Sequence, residues 1–274
     1  MPFRRLKKSK ELDRQSFRIS QHQVTQLITN HDAMTHSENK MPGINVLELR
    51  NYLLEPGMTE RFSEYFHTKF VEPMRKLHGY TLGEFEIDGI DDRFVWFRGF
   101  RDMAERLKFL TDFYLNSETW KTYGGGANEM MINSDNVYLL KPLKNDQFAI
   151  SEKQITLVDF YYCNGTLEKT IDLFEREYVP FLKTINVDDI SLWLSELSPN
   201  EFPRLPAFQD KNLLLTISNY ADRQEYESKQ SLINDMPPDL RKSMQRLITI
   251  HNSLRLSNLN YRKGDNFLDE HEVH

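Results

Sequence analysis

A chain of 274 residues, 39% hydrophobic and 28% charged, carries enough apolar material for one large or two ordinary domains and too much for a disordered or fibrous protein. A formal net charge of −6 argues against a dedicated nucleic-acid binder, whose phosphate-facing surface is basic. The single cysteine, Cys163, excludes an intrachain disulfide and makes a reducing, cytoplasmic setting the expectation.

Residues 1–43 read as a basic, polar extension. No apolar stretch follows the cluster Arg4 to Lys10, so it is not a secretory leader. No run anywhere approaches the roughly 20 apolar residues of a membrane-spanning helix. Phe17, Ile19, Val24, Leu27 and Ile28 allow one short amphipathic helix, and the basic cluster could meet an anionic surface or partner. A solvated terminus is the plainer reading.

Residues 44–150 read as a first unit. Asn45 to Leu54 alternate as a strand, and Glu55-Pro56-Gly57-Met58-Thr59 is a turn leading into a helix cap. The helix that follows repeats Phe62, Phe66 and Phe70 on one face, until Pro73 bends or ends it near Leu77-His78-Gly79. Strands are predicted over Tyr80 to Ile87 and Phe94 to Phe100, joined by a turn at Asp88 to Asp92. A second helix from Arg101-Asp102 carries Met103, Leu107, Leu110 and Tyr114. The glycines Gly124-Gly125-Gly126 predict a break after it, since they follow a helix and lack the Lys-Ser/Thr of a phosphate-binding loop. A strand over Asn136 to Leu140 closes the unit.

Residues 151–262 read as a second unit of the same plan, with a tail at 263–274. Ile155 to Tyr161 is a strand, Asn164-Gly165-Thr166 a turn, and Leu167, Ile171, Phe174 and Tyr178 mark a helix. Phe66 to Val71 lies over Phe174 to Val179 without a gap, with Gly57 and Gly165 in the same register. Strands at Ile190 to Glu196 and Asn212 to Ser218 flank a Pro-rich excursion, Ser198 to Pro206, longer than its counterpart in the first unit. Tyr220-Ala221-Asp222-Arg223 answers Phe100-Arg101-Asp102-Met103. A closing helix is split at Met236-Pro237-Pro238, and a strand fits Ser253 to Leu259. The expected fold is α+β: tandem ferredoxin-like β-α-β-β-α-β units pairing into an α/β barrel. A four-stranded sheet with helices on one face leaves the other bare, and stacking a second sheet on it buries both.

Arg50 and Tyr52 share one face of the first strand and could offer a charge and a hydroxyl to an anionic or phenolic ligand. Trp96 could stack on a planar ligand with Arg98 beside it, against the plainer reading of core packing; Arg98 and Arg106 could equally pair with carboxylates as structure. His67, beside the aromatic stripe, would be a general base or haem ligand if it faced the barrel cavity, and a surface histidine otherwise. His78 suits a helix end. No metal-ligand spacing is present, and no cofactor can be named.

Asp92 to Arg106, followed by Asn116-Ser117-Glu118-Thr119-Trp120, resembles the NIPSNAP pattern of a hydrophobic strand, a short helix entry, and a helix closing on an acidic-x-Trp element. Val46 to Gly57 resembles that family's opening strand and Pro-Gly turn. The resemblance spans roughly residues 44 to 262, more weakly in the second unit. It implies the barrel fold shared with small antibiotic-biosynthesis-type monooxygenases and haem-degrading enzymes, without implying their chemistry. Three readings stay open. The first is a protein binding a small apolar or aromatic molecule, or a protein partner, through its barrel. The second is a cofactor-independent or haem-type monooxygenase or isomerase acting in the barrel cavity. The third is a scaffold using the basic extension. A homodimer is compatible with all three.

Overall fold

The computed structural model describes residues 43–144, 153–165 and 167–260. The basic extension up to residue 42 and the tail at 263–274 lie outside the described residues. From Gly43 onward the chain is one unit.

The first half runs β1 (Val46–Leu54), α1 (Thr59–Phe66), a π-helical turn (His67–Val71), α2 (Glu72–Lys76), β2 (Tyr80–Ile87) and β3 (Ile90–Phe100). It continues through α3 (Met103–Thr111), a second π turn (Asp112–Asn116), α4 (Glu118–Glu129), the short β4 (Met131–Asn133) and β5 (Val137–Pro142). The second half is β6 (Ile155–Cys163), α5 (Leu167–Leu173), a π turn (Phe174–Tyr178), α6 (Val179–Thr184), β7 (Ile190–Ser195), β8 (Leu213–Tyr220), α7 (Arg223–Asn234), α8 (Pro238–Leu247) and β9 (Ile248–Asn258). Strand β4 is an addition to the expected order, and β9 begins earlier than Ser253.

Within each half the strand order is that of a ferredoxin-like sheet, β5-β1-β3-β2 and β9-β6-β8-β7. The halves then join edge to edge, β2 on β9 and β5 on β7, closing eight antiparallel strands into a barrel. Closure pairs the edge N–H and C=O groups that an open sheet leaves bare.

The phenylalanine stripe explains the π turns. Phe62, Phe66, Phe70 and Met74 are all buried, each four residues after the last. A step of four overshoots a 3.6-residue turn by about 40°, so the stripe drifts off the sheet in a regular helix. One wider turn, at His67–Val71, brings it back. Thr170, Phe174, Tyr178 and Leu182 repeat the buried spacing around the third π turn. Gly57 and Gly165, at φ 75° and 96°, occupy matching turns that a side chain would strain. Asp102 and Asp222 each cap a helix by accepting from the N–H of Glu105 and Glu225, whose carboxylates accept in return from the N–H of Arg101 and Ala221.

Alternation along β1 and β3 separates two cores. Leu47, Leu49, Val95 and Phe97 point into the barrel with Phe85, Phe160, Trp193, Leu215 and Ile217, and this set fills the lumen. Val46, Tyr52, Leu54, Phe94, Trp96 and Phe100 point outward under the first-half helices. The three glycines do not break a helix: they lie inside α4. A Cβ on Gly124 would come within 2.8 Å of the Trp120 ring, and one on Gly126 within 2.7 Å of the Tyr65 hydroxyl, so their smallness lets aromatic side chains lie flush against α4. Among the described residues, no helix is long and apolar enough to cross a membrane.

The second-half helices cover Tyr161, Tyr178 and Tyr220. Burial, with Asp159 nearby, pushes the Tyr161 and Tyr178 phenols well up; burial chiefly pushes Tyr220 up to about 12. In the unfolded chain the same groups ionise near 10. The folded state therefore holds protons that the unfolded state has lost, and the stability they confer, complete below about pH 10, falls as pH rises through their folded values. Absorbance at 295 nm is expected to show a late tyrosinate step that coincides with loss of the folded circular dichroism signal. A single step near pH 10 with the fold intact would contradict this burial.

Candidate functional site

Cross-strand register assembles a charged cluster on the outer face of the first-half sheet: Glu48 opposes Arg98, and Arg50 opposes Trp96. The Glu48 carboxylate is fully buried. Its Oε2 accepts from Arg98 Nε (2.8 Å) and Nη2 (2.5 Å) and from Arg50 Nη1 (3.0 Å). Its Oε1 accepts from Arg106 Nε (2.7 Å), which descends from α3. Burial alone would raise the Glu48 pKa; the guanidinium groups of Arg98, Arg106 and Arg50 outweigh it and hold the carboxyl far below the ordinary carboxylate range. Arg50 Nε donates to the Tyr52 hydroxyl (2.8 Å) and Arg98 Nη1 to the Tyr114 hydroxyl (3.1 Å). Burial keeps the Tyr52 phenol above its usual value despite Arg50, so it stays protonated. The Arg98 guanidinium also lies 5.2 Å from the Trp96 ring and 5.0 Å from that of Phe109.

Above this floor is a cavity of about 210 Å³, lined by Arg50, Tyr52, Tyr114, Trp120, Phe202 and Arg204 among others. A deeper apolar chamber of about 30 Å³ shares Tyr52, Tyr114 and Trp120 with it and reaches Phe66 and Trp96. The Trp96 indole N–H is buried with no hydrogen-bond partner among the described residues. The roof is the Pro-rich excursion of the second half. Phe202 is buried in the first-half core. Asn200 Oδ1 accepts from Arg106 Nη1 (3.0 Å), and Asn200 Nδ2 donates to the Leu205 carbonyl (2.8 Å). Gln209 ties the base of the loop by donating to the carbonyls of Glu196 and Ser198.

Of the residues expected at a site, Arg50 and Tyr52 line the cavity, Trp96 lines the deeper chamber while serving as core, and Arg98 stands behind, holding Glu48 and Tyr114. His67 does not join them. Its side chain is 48% exposed and bonds through Nδ1 to the buried Glu84 (2.8 Å), so it faces neither the cavity nor the lumen. His78 is exposed at the helix end, at φ 65°. The cavity lies under the helices, outside the barrel, whose lumen-facing side chains form an apolar cluster. Glu48, Tyr114, Asn200, Phe202 and Arg204 were not foreseen. Glu48-x-Arg50-x-Tyr52 carries a signal in hindsight: polar groups at alternate positions of a strand whose other face is Leu47 and Leu49 cannot all be solvent-facing once helices cover that side.

In the second half, Leu157, Asp159 and Tyr161 occupy the β6 places of Glu48, Arg50 and Tyr52. Asp159 accepts from His251 Nε2 (2.9 Å) and from the Ser253 hydroxyl. The arginine-rich arrangement therefore occurs in the first half and not at its counterpart. A larger hollow of about 650 Å³ lies between β7 and α6, lined by Val179, Lys183, Asp188, Trp193 and Lys144, which is ion-paired to Glu175 at 2.7 Å.

No protein-family model matches the sequence, and no curated protein matches it. Among solved structures, the chain is similar to a "putative monooxygenase" from Lactobacillus acidophilus, with 9% identity and a TM-score of 0.52 over 78% of this chain and 94% of that one. A "putative monooxygenase" from Fusobacterium nucleatum gives 9% identity and a TM-score of 0.53 over 80% of this chain and 94% of that one. An uncharacterized NIPSNAP domain protein from Burkholderia xenovorans is similar over 35% of this chain and 93% of its own, at 14% identity and a TM-score of 0.33. The first two likenesses are of fold: the α/β barrel.

Proposed function

We propose that the chain is a NIPSNAP-type α/β-barrel protein that binds a small aromatic molecule in the cavity beneath its first-half helices. The observation that carries this is the composition of that cavity: Trp120, Tyr114 and Phe202 supply ring-sized apolar walls, and Arg50 and Tyr52 supply a few fixed polar groups at the floor. That mixture is what small-molecule sites present. The buried, unpaired Cys163 suits a cytoplasmic setting. A second copy of the chain is not needed to close the barrel.

Ligand-observed NMR of the whole chain with toluene, phenol and benzoate tests the reading. At least one ring is expected to bind, and Leu205→Trp, which fills the cavity from its roof, is expected to abolish binding while the fold persists. Equal binding to the filled variant, or no binding of any ring, would overturn it.

A second reading adds chemistry. The apolar chamber beside Trp96, about 30 Å³, is of a size for dioxygen next to a bound ring. Oxygenation of that ring would then follow; the two similar barrel structures carry the name "putative monooxygenase". Oxygen uptake measured with whichever ring binds separates a binder from an oxygenase.

A further inference from the structure

The bonding around the cavity is unbalanced in two respects. Arg50, Arg98 and Arg106 are at most 1% exposed, and none can shed its proton. Among the described residues the three pair with one carboxylate, Glu48, which leaves two positive charges unmatched. A fourth arginine, Arg204, stands at the cavity mouth. The second imbalance is directional. The Tyr52 and Tyr114 hydroxyls each accept from an arginine, so each keeps its own proton to donate, and neither donates to an acceptor among the described residues. Both line the cavity. Two phenol donors backed by guanidinium groups, in a region of excess positive charge, form a receptor for an acidic oxygen. Of the remaining walls, Trp120, Phe202, Leu115, Met131 and Leu205 are apolar, and Asn128 and Ser134 are uncharged polar groups. A cavity of about 150 Å³ is enough for benzene; the space here, about 210 Å³, leaves room for one ring and a short acidic arm.

Resting on the ring-binding reading above, we infer that the ligand is a single-ring aromatic acid, its carboxylate taking hydrogen bonds from Tyr52 and Tyr114 within the field of Arg50 and Arg204 and its ring set against Trp120 and Phe202. The carboxylate supplies the counter-charge that Glu48 alone does not. Recognition by two hydroxyl donors, in place of direct arginine forks, leaves the Glu48 network intact when the ligand departs.

Calorimetric titration of the full chain with benzoate and phenylacetate, against toluene as an uncharged ring and acetate as an anion without a ring, tests this. At least one aromatic acid is expected to bind tenfold or more tightly than either control. Tyr52→Phe keeps the ring and removes the donor, and is expected to weaken the acid about tenfold while leaving toluene unchanged. Arg204→Gln is expected to weaken the acid severalfold, with a smaller salt dependence than the parent. Toluene binding as tightly as the acids would overturn the inference and leave the ring-binding reading standing. So would acid binding untouched by both Tyr52→Phe and Tyr114→Phe. Failure of every ring to bind would overturn both.

Discussion

Glu48→Gln is expected to lower the unfolding free energy by about 3–5 kcal/mol, the range seen when one partner of a buried ion pair is removed. The substitution is nearly isosteric, so packing hardly changes; what is lost is the charge that Arg98, Arg106 and Arg50 surround. Three buried guanidinium groups would then remain without their carboxylate, and arginine has no neutral form to retreat to. For a domain whose whole stability is about 5–15 kcal/mol, this is a large fraction, and urea unfolding monitored by circular dichroism reads it directly. Glu48→Gln combined with Arg106→Met should recover about 1 kcal/mol or more, because it removes one of the stranded charges. A cost below about 1 kcal/mol for the single change would mean that the cluster is not a desolvated ion network. Mild acid does not imitate the mutation. The folded pKa of Glu48 lies below its unfolded value, so its contribution is present above the ordinary carboxylate range and is lost only as pH falls through the folded value, far down the acid limb.

Phe97→Ala is expected to cost about 3–5 kcal/mol, as truncation of a buried aromatic does. Phe97 is fully buried in the lumen, packed edge-on to Phe85 at 5.5 Å between ring centroids. Closed strands cannot collapse far into the space left behind. The variant also separates the two cavities that a barrel of this kind offers. Because the proposed ligand site lies on the other face of β3, benzoate affinity should stay within about twofold of the parent while the midpoint of unfolding falls. A parallel loss of affinity would place the ligand in the lumen after all.

Much of this architecture was legible beforehand. Phe62, Phe66 and Phe70 at a spacing of four, Gly57 and Gly165 in matching turns, and Asp102 and Asp222 ahead of two helices each specify backbone locally, and each is where the spacing puts it. The shared face of Arg50 with Tyr52 and of Trp96 with Arg98 was legible because a strand fixes which residues lie on one side. The errors came where identity stops determining environment. Gly124 to Gly126 read as a break because glycine weakens a helix in isolation; packing against Trp120 and Tyr65 reverses that preference. The partnership of Glu48 with Arg106 spans 58 residues, and that of Arg106 with Asn200 spans 94, so no local pattern could reveal either. For His67 the surface alternative is the one observed, with its ring bonded to the buried Glu84.

The Asn200–Arg106 tie has a thermodynamic corollary. The floor of the cavity belongs to one half of the polypeptide and its ceiling to the other, so the proposed ligand would be held by both at once. Mass action then makes saturation a clamp across the seam. At a free ligand concentration one hundred times Kd the added stability is about 2.7 kcal/mol, and it resists separation of the halves as well as unravelling of either.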